Sequence, residues 1–393
     1  LLFARAAAIS ARDLGKFPEL ELCMRVLHFF KTAFPDTMGG IEQAIHHLAA
    51  GTVGQGWDVD VLSLASGDVP ASIEPAGYTL HRARRNLEIA STGLSLSALA
   101  RFAELSRKAD VVHYHFPWPF MDLAHFLVRM RKPCVVTYHS DIIRQKLLLP
   151  LYQPLQTAFL ASVDRIVATS PNYLQTSTVL PRFAGKCELV PIGVDRELYP
   201  EPEADRLAYW QDRLEPRFFF FVGVLRYYKG LHILVEAARR VSYPIVIAGA
   251  GPIEAELKQQ VQQLGLTNVH FLGHISDADK PCLLSLAYGV VFPSHLRSEA
   301  FGISLLEGAM FGKPMISSEI GTGTSYVNAA DETGLVVPPS DPEALAAAMA
   351  RLWEDPLLAR QMGEAAQRRY EMHFKCEQMV GSYLKIYNEI LNR

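Results

Sequence analysis

Glu299 and Glu307 stand eight positions apart in RSEAFGISLLEGAMFGKP, residues 297–314, with Phe301, Gly302 and Ile303 between them. Were the whole stretch helical, eight residues at 3.6 per turn would leave the two carboxylates on different faces. If Glu299 instead closes a loop and a helix starts near Gly302, Glu307 projects from its second turn. Both acids then border the helix N-terminus, where unpaired N–H groups and the helix dipole attract an anion. An anion flanked by hydroxyl-accepting acids is what a sugar nucleotide presents. An amphipathic helix carrying two solvated acids accounts for the stretch equally well.

Other loops carry compatible chemistry. FPDTMGGIEQAIHHLA places Gly39 and Gly40 ahead of a helix, where backbone can approach a phosphate closely; a tight turn would use the same residues. FVGVLRYYKGLHILVEAA puts Arg226 and Lys229 after a strand, a fork and a point charge suited to a diphosphate, though lone surface cations look alike. His113, His115 and His139 end two β-rich runs. An HxH metal pair would need further ligands, so polar groups lining a cleft are the preferred reading, with His139 the substrate contact. In IVIAGAGPIEAELKQ the third glycine of a dinucleotide loop is replaced by Glu254. Strand–turn–helix packing therefore explains it better than nicotinamide binding.

Two series of elements must position these loops. RVLHFF, DVDVLSL, YTLHRA, DVVHYH, PCVVTYH and DRIVATS read as strands, with helix-length segments at 40–55, 95–108, 119–131 and 144–161. FFFFVGV, PIVIAG, NVHFLG, YGVVFPS, KPMISS and GLVVPP form a second series, and 341–391 is helical in period. The expected fold is α/β, two Rossmann-like doubly wound parallel sheets facing a cleft. Expected bounds are an extension at 1–23 outside the fold, an acceptor domain at 24–195 and a linker at 196–212. A donor-nucleotide domain follows at 213–372, then a C-terminal helix at 373–393 that returns to the first domain.

Composition narrows the partners. The 393 residues are 49% hydrophobic with a formal net charge of −3, which argues against nucleic acid as a main partner. Five scattered cysteines without a CxxC fit a reducing cytoplasm, and no apolar run reaches membrane-helix length. The basic runs HRARRN (81–86) and RMRK (129–132) could meet an anionic membrane if they share a face.

In order and type, the glycine pair, strand-end histidine, Arg/Lys loop and E-x7-E segment resemble the retaining GT-B glycosyltransferases (family 4 type). SEAFGISLLEGAMFGKPMISSEIGTGTSYV is the most specific part, supported by PIGVD, KG and GHIS, and the likeness runs from Met24 to the end. TYHSDIIRQ and GTGTSYVN…ETGLVVPP look similar to bacterial mannosyl- and rhamnosyltransferases of surface polysaccharides.

The resemblance implies roles. Gly39 and Gly40 would approach the donor phosphate and sugar, and His139 would hydrogen-bond the sugar. Arg226 and Lys229 would neutralise the diphosphate, Glu299 would hold sugar hydroxyls, and Phe301, Gly302 and Ile303 would offer N–H groups. Glu307 would accept the ribose hydroxyls, while Gly273, His274 and Ile275 of GHIS would lie against the base. Val224 stands where the family places an arginine, so Arg226 would act from a shifted position.

The implied reaction moves a mannose- or rhamnose-like hexose from a nucleotide-diphosphate sugar, GDP-linked rather than UDP-linked, to a lipid-linked or growing glycan. It would need no metal or other cofactor, and would retain anomeric configuration. The enzyme would be cytoplasmic, docking reversibly on the inner membrane face. A nucleotide-sugar epimerase or hydrolase and a non-catalytic sugar-nucleotide sensor share the fold and remain alternatives.

Overall fold

The computed structural model describes residues 23–67, 69–89, 92–142 and 149–393. Ten strands belong to the first half: β1 (Arg25–Phe29), β2 (Asp58–Ala65), β3 (Ser72–Ile73), β4 (Thr79–Arg84), β5 (Leu87–Ile89), β6 (Thr92–Leu94), β7 (Val111–Phe116), β8 (Cys134–Tyr138), β9 (Arg165–Ala168) and β10 (Cys187–Leu189). Eight of them form one sheet in the order β10-β9-β8-β7-β1-β2-β4-β3, parallel except for β3; β5 and β6 make a small hairpin. The second half supplies β11 (Phe219–Val222), β12 (Ile245–Ala248), β13 (Val269–Gly273), β14 (Gly289–Phe292), β15 (Met315–Ser318) and β16 (Gly334–Val337). Their order is β13-β12-β11-β14-β15-β16, all parallel. The expected doubly wound architecture is present in both halves. Strand order reverses between β1 and β7 and between β11 and β14, which opens a crevice beyond those carboxyl ends.

Continuous apolar runs such as FFFV and CVVTY become strands buried on both faces, as parallel sheets require. Helices start where caps allow: Ser95 accepts from Ala98 N, and Asp341 accepts from Glu343 N and Ala344 N with Pro342 at the first turn. Alternation along β1 sends Leu27 and Phe29 to one core. Val26 and Phe30 go to another, which continues into the second half through the C-terminal helix.

That helix, Cys376–Leu391, lies against Gly40–Val53 of the first half so closely that a Cβ on Gly51 would meet Val380 Cγ2 at 2.5 Å. Tyr387 and Tyr383 reach His113 and Thr137 at the centre of the first sheet (2.6 and 2.7 Å). The chain passes between the halves along two adjacent segments, with Val194 N donating to Phe374 O and Cys376 N to Val194 O.

Three local expectations change. The span 196–212 is no plain linker: it holds a 3-10 turn at Arg196–Leu198 and a helix at Ala204–Gln211, whose Arg206 and Trp210 both bond Asp279. The helix expected at 144–161 runs Leu149–Ser162, and residues 143–148 lie outside the described residues. Of the extension at 1–23, residues 1–22 lie outside them too, and Cys23 stands directly before β1.

Candidate active site

The second half meets the crevice with one helix end. Ile303–Met310 is helical and Gly302 is its N-cap, at φ 91° and ψ 69°. Only glycine takes that conformation freely, and a Cβ there would press on Leu305 and Phe292. The N–H groups of Phe301, Gly302 and Ile303 find no acceptor among the described residues, although Phe301 itself is buried. Across the crevice, Gly40 lies against Ile303, and a Cβ on it would sit 3.3 Å from Ile303 Cγ1. Neighbouring Gly39 is overhung by Glu42, which takes the hydroxyls of Thr32 and Thr37. The glycine pair and the helix end are thus brought together, as the sequence suggests.

Both glutamates border this end and both are buried. Glu299 forms an ion pair with Lys229 and accepts weakly from Ser294 Oγ at 3.4 Å; the Lys229 ammonium also lies 4.6 Å from the Phe292 ring. Glu307 Oε1 takes Tyr199 OH (2.8 Å) and Lys280 Nζ (2.7 Å), leaving Oε2 without a hydrogen bond among the described residues. Burial and the nearby carboxylate push the Tyr199 phenol well above its usual range, so it stays a donor. With Oε1 committed, Oε2 is the acceptor left for a ligand hydroxyl.

Arg226 is exposed, and neither it nor Lys31 of the first half forms an ion pair among the described residues. Burial lowers the Lys31 ammonium pKa, the carboxylates of Glu42 and Glu88 act the other way, and the positive field of Arg226 adds a smaller lowering. Val224 is exposed at the position where the resembling family has arginine. The GAG loop holds this region up from below: a Cβ on Gly249 would meet Gly223 O at 2.0 Å, and one on Gly251 would meet Leu225 O at 2.3 Å. Those glycines serve close packing of two loops. The GHIS loop lies alongside, where Gly273 O accepts from Gly249 N (2.7 Å), Ser276 Oγ bonds Asp279, His274 is exposed and Ile275 half-buried.

A polar latch joins the two halves next to Glu299. Arg297 donates to Thr176 Oγ1 (3.0 Å) and Gly321 O (2.8 Å), lies 3.5 Å from Asp141 and packs over Tyr173. Asn172 also donates to Ser325 Oγ (3.1 Å).

His139 sits at the end of β8, 3% exposed, with Nε2 3.1 Å from His115 Nδ1. His115 Nε2 is 3.0 Å from His28 Nδ1, and His113 stacks against His115 and meets His28 at a tilt. Ring nitrogens of His28, His113 and His115 lie within 4.8 Å of one another. Both nitrogens of His113 are engaged, by Tyr387 OH and Thr137 Oγ1 (2.6 and 2.7 Å), and both of His115 by histidines. The HxH pair therefore belongs to a hydrogen-bonded array, and the set has no three free lone pairs for a metal. Burial pushes His28 and His139 down to about 3, and His113 and His115 well below their ordinary value.

Tyr199, Lys280, Arg297 and His28 surround the candidate site and were missed by sequence reasoning. Lys280 had a signal: it opens the helix Asp279–Leu286 right after GHIS.

Fold and site together define a two-domain protein whose cleft presents unpaired N–H groups and a free carboxylate oxygen, and the comparisons name the class. Residues 38–198 match the model of Glycosyltransferase Family 4 and residues 209–369 that of Glycosyl transferases group 1. The chain belongs to this glycosyltransferase family. It is 60% identical to the D-rhamnosyltransferase WbpZ of Pseudomonas aeruginosa over 89% of this chain and 92% of that one. It is 48% identical to the O-antigen chain mannosyltransferase C of Escherichia coli, over 94% and 99%. Among solved structures, the sucrose-phosphate synthase of Thermosynechococcus elongatus superposes with a TM-score of 0.79 at 24% identity, covering 94% of this chain and 99% of that one. The fold is GT-B.

If Oε2 of Glu307 receives ribose hydroxyls, Glu307→Gln keeps an Oε1 for Tyr199 and Lys280 while replacing that acceptor by an amide. Calorimetry should show free nucleoside diphosphate binding weakened by about 1.5–3 kcal/mol, the range for a hydrogen bond to a charged group. An unchanged dissociation constant would make Glu307 a purely structural anchor.

Proposed function

We propose that this glycosyltransferase moves a D-rhamnose- or mannose-like hexose from a GDP-linked donor to a hydroxyl of a lipid-linked or growing O-antigen glycan. The observation that carries the donor half is the free N–H end of Ile303–Met310 facing Gly40, bordered by Glu299 and its partner Lys229. The names of the rhamnosyl- and mannosyltransferase relatives support the sugar and glycan classes.

The diphosphate would lie on the helix end with Arg226 and Lys229 as its cations, and Glu299 would orient sugar hydroxyls from its pair with Lys229. Charge on the departing diphosphate is met by fixed cations and N–H groups, so the step calls for neither a metal nor another cofactor. Glu299, which borders the helix end, is engaged by Lys229, which disfavours a glycosyl–enzyme intermediate. Attack by the acceptor on the face the nucleotide leaves, with retention, fits this arrangement. The test is a donor panel of GDP-mannose, GDP-rhamnose and UDP-glucose with an O-antigen-type acceptor, reading nucleotide release and product anomer. Turnover without acceptor, or an inverted product, would overturn the reading.

Membrane contact takes a different form from the six-cation patch. Arg82, Arg84 and Arg85 lie at the carboxyl end of β4, whereas Arg129, Arg131 and Lys132 precede β8, which runs parallel, so the two runs sit at opposite ends of the sheet. Arg82 is besides held by Asp36 through two hydrogen bonds. No helix among the described residues is long and apolar enough to cross a membrane. Leu123, Phe126 and Leu127 are exposed on the helix Pro119–Leu127, which leads into Arg129, Arg131 and Lys132, and Leu151 is exposed on the adjoining helix. That apolar-and-basic face would dock on anionic lipid at the cytoplasmic side of the membrane. Changing Leu123, Phe126 and Leu127 to Ser should abolish co-sedimentation with anionic vesicles, while Ser at Arg82, Arg84 and Arg85 should leave it intact. The opposite pattern would move the contact to β4.

A further inference from the structure

The array behind His139 has a direction. Three rings stand in line: His28 Nδ1 against His115 Nε2, then His115 Nδ1 against His139 Nε2. Neighbouring ring planes are nearly parallel, 24° and 22° apart. Buried this deeply, each ring is neutral and carries one proton, so three protons serve two hydrogen bonds. Two arrangements satisfy both bonds. In one, every proton points toward His28, and its Nε2–H is left over. In the other, every proton points toward His139, and its Nδ1–H is left over.

The surroundings decide between them. Among the described residues His28 Nε2 is fully enclosed and has no partner, while His139 Nδ1 has none either but is not enclosed. A buried N–H without an acceptor is a rarer and costlier defect than a bare lone pair. Against it stands the modest preference of free imidazole for the Nε2–H form, which all three rings forgo in the second arrangement. His113 braces the row from the side, 4.8 Å from His28 and 4.4 Å from His115, and is itself fixed by Tyr387 and Thr137.

We infer that His28 and His115 are positioning residues that lock His139 as its Nδ1–H tautomer, presenting a neutral N–H donor to the donor substrate in the cleft. His139 then gives a hydrogen bond to a sugar or phosphate oxygen and takes no part as acid or base. The substrate half of this inference rests on the donor reading of the preceding section; the tautomer half does not.

Ring-15N-histidine labelling and long-range proton–nitrogen correlation read the tautomers directly in the intact enzyme. Wild type should show His139 as Nδ1–H throughout pH 6–8. His28→Asn keeps an N–H near the position of Nδ1 and should preserve that signature. His28→Leu removes it and should leave His139 a mixture of tautomers, with kcat/KM reduced about 10-fold or more and restored largely by Asn. An Nε2–H His139 in wild type, or a signature unmoved by His28→Leu, overturns the inference. Titration with GDP and GDP-mannose separates the two halves. Shifts at His139 with GDP-mannose support both. An intact Nδ1–H signature that neither ligand moves keeps the relay and discards the contact.

Discussion

Lys229→Ala should lower kcat by about 10²–10³-fold while changing the donor KM only several-fold. Removing one preorganised electrostatic group from a charge-developing transition state typically has that effect. Lys229 is well placed for it, since its ammonium is held in a largely buried pair with Glu299 and against the Phe292 ring. A ground-state contact would appear in KM instead. The pair adds a second signature, because Lys229→Ala leaves Glu299 with only a long bond from Ser294. Kinetics of Lys229→Ala, Glu299→Ala and the double variant should therefore be strongly non-additive. Additive losses in kcat, or a loss confined to KM, would separate the two residues functionally.

Acid should unfold the enzyme unusually early. His28, His113, His115 and His139 are kept neutral by burial, His28 and His139 down to about 3. An unfolded imidazole takes its proton near pH 6.5. Between those values the unfolded chain binds more protons, so stability rises with pH and is lost as pH falls from about 6.5. By pH 5.5 keeping these rings neutral costs on the order of 1 kcal/mol apiece, several kcal/mol together, against a typical total stability of about 5–15 kcal/mol. His47 and His125, pushed down to about 4 by burial, act in the same sense. Asp122 opposes them: burial raises its carboxyl well above the usual range, so its contribution grows on acidification. Urea midpoints between pH 7.5 and 5.5 measure the balance. A flat profile would mean that the folded row accepts protons freely.

Strand-forming runs and the E-x7-E helix start were legible because local chemistry specifies them: β-rich apolar stretches make buried parallel strands, and Gly302 ahead of an apolar periodic run makes a helix begin. Partners distant in the chain were not legible. Tyr199 lies over a hundred positions before Glu307, and nothing in its neighbourhood marks it as a carboxylate donor. His28 was missed because the HxH pattern shows only its own strand, whereas the β1–β7 register sets His28 beside His113. The basic runs were misjudged on a point the sequence does contain: one closes a strand and the other precedes one, and in a parallel sheet those are opposite ends.

The C-terminal helix constrains how this enzyme can be recombined with its relatives. Residues 376–391 pack onto the first half, through Tyr387 on His113, Tyr383 on Thr137 and Val380 against Gly51, although the whole second half lies between them in the chain. A hybrid that exchanges donor specificity cannot therefore be made with a single junction near residue 200. It needs a second junction near residue 375, where the two crossing segments run side by side, so that helix and sheet come from one parent. In modular terms the donor half is an insertion within the acceptor half.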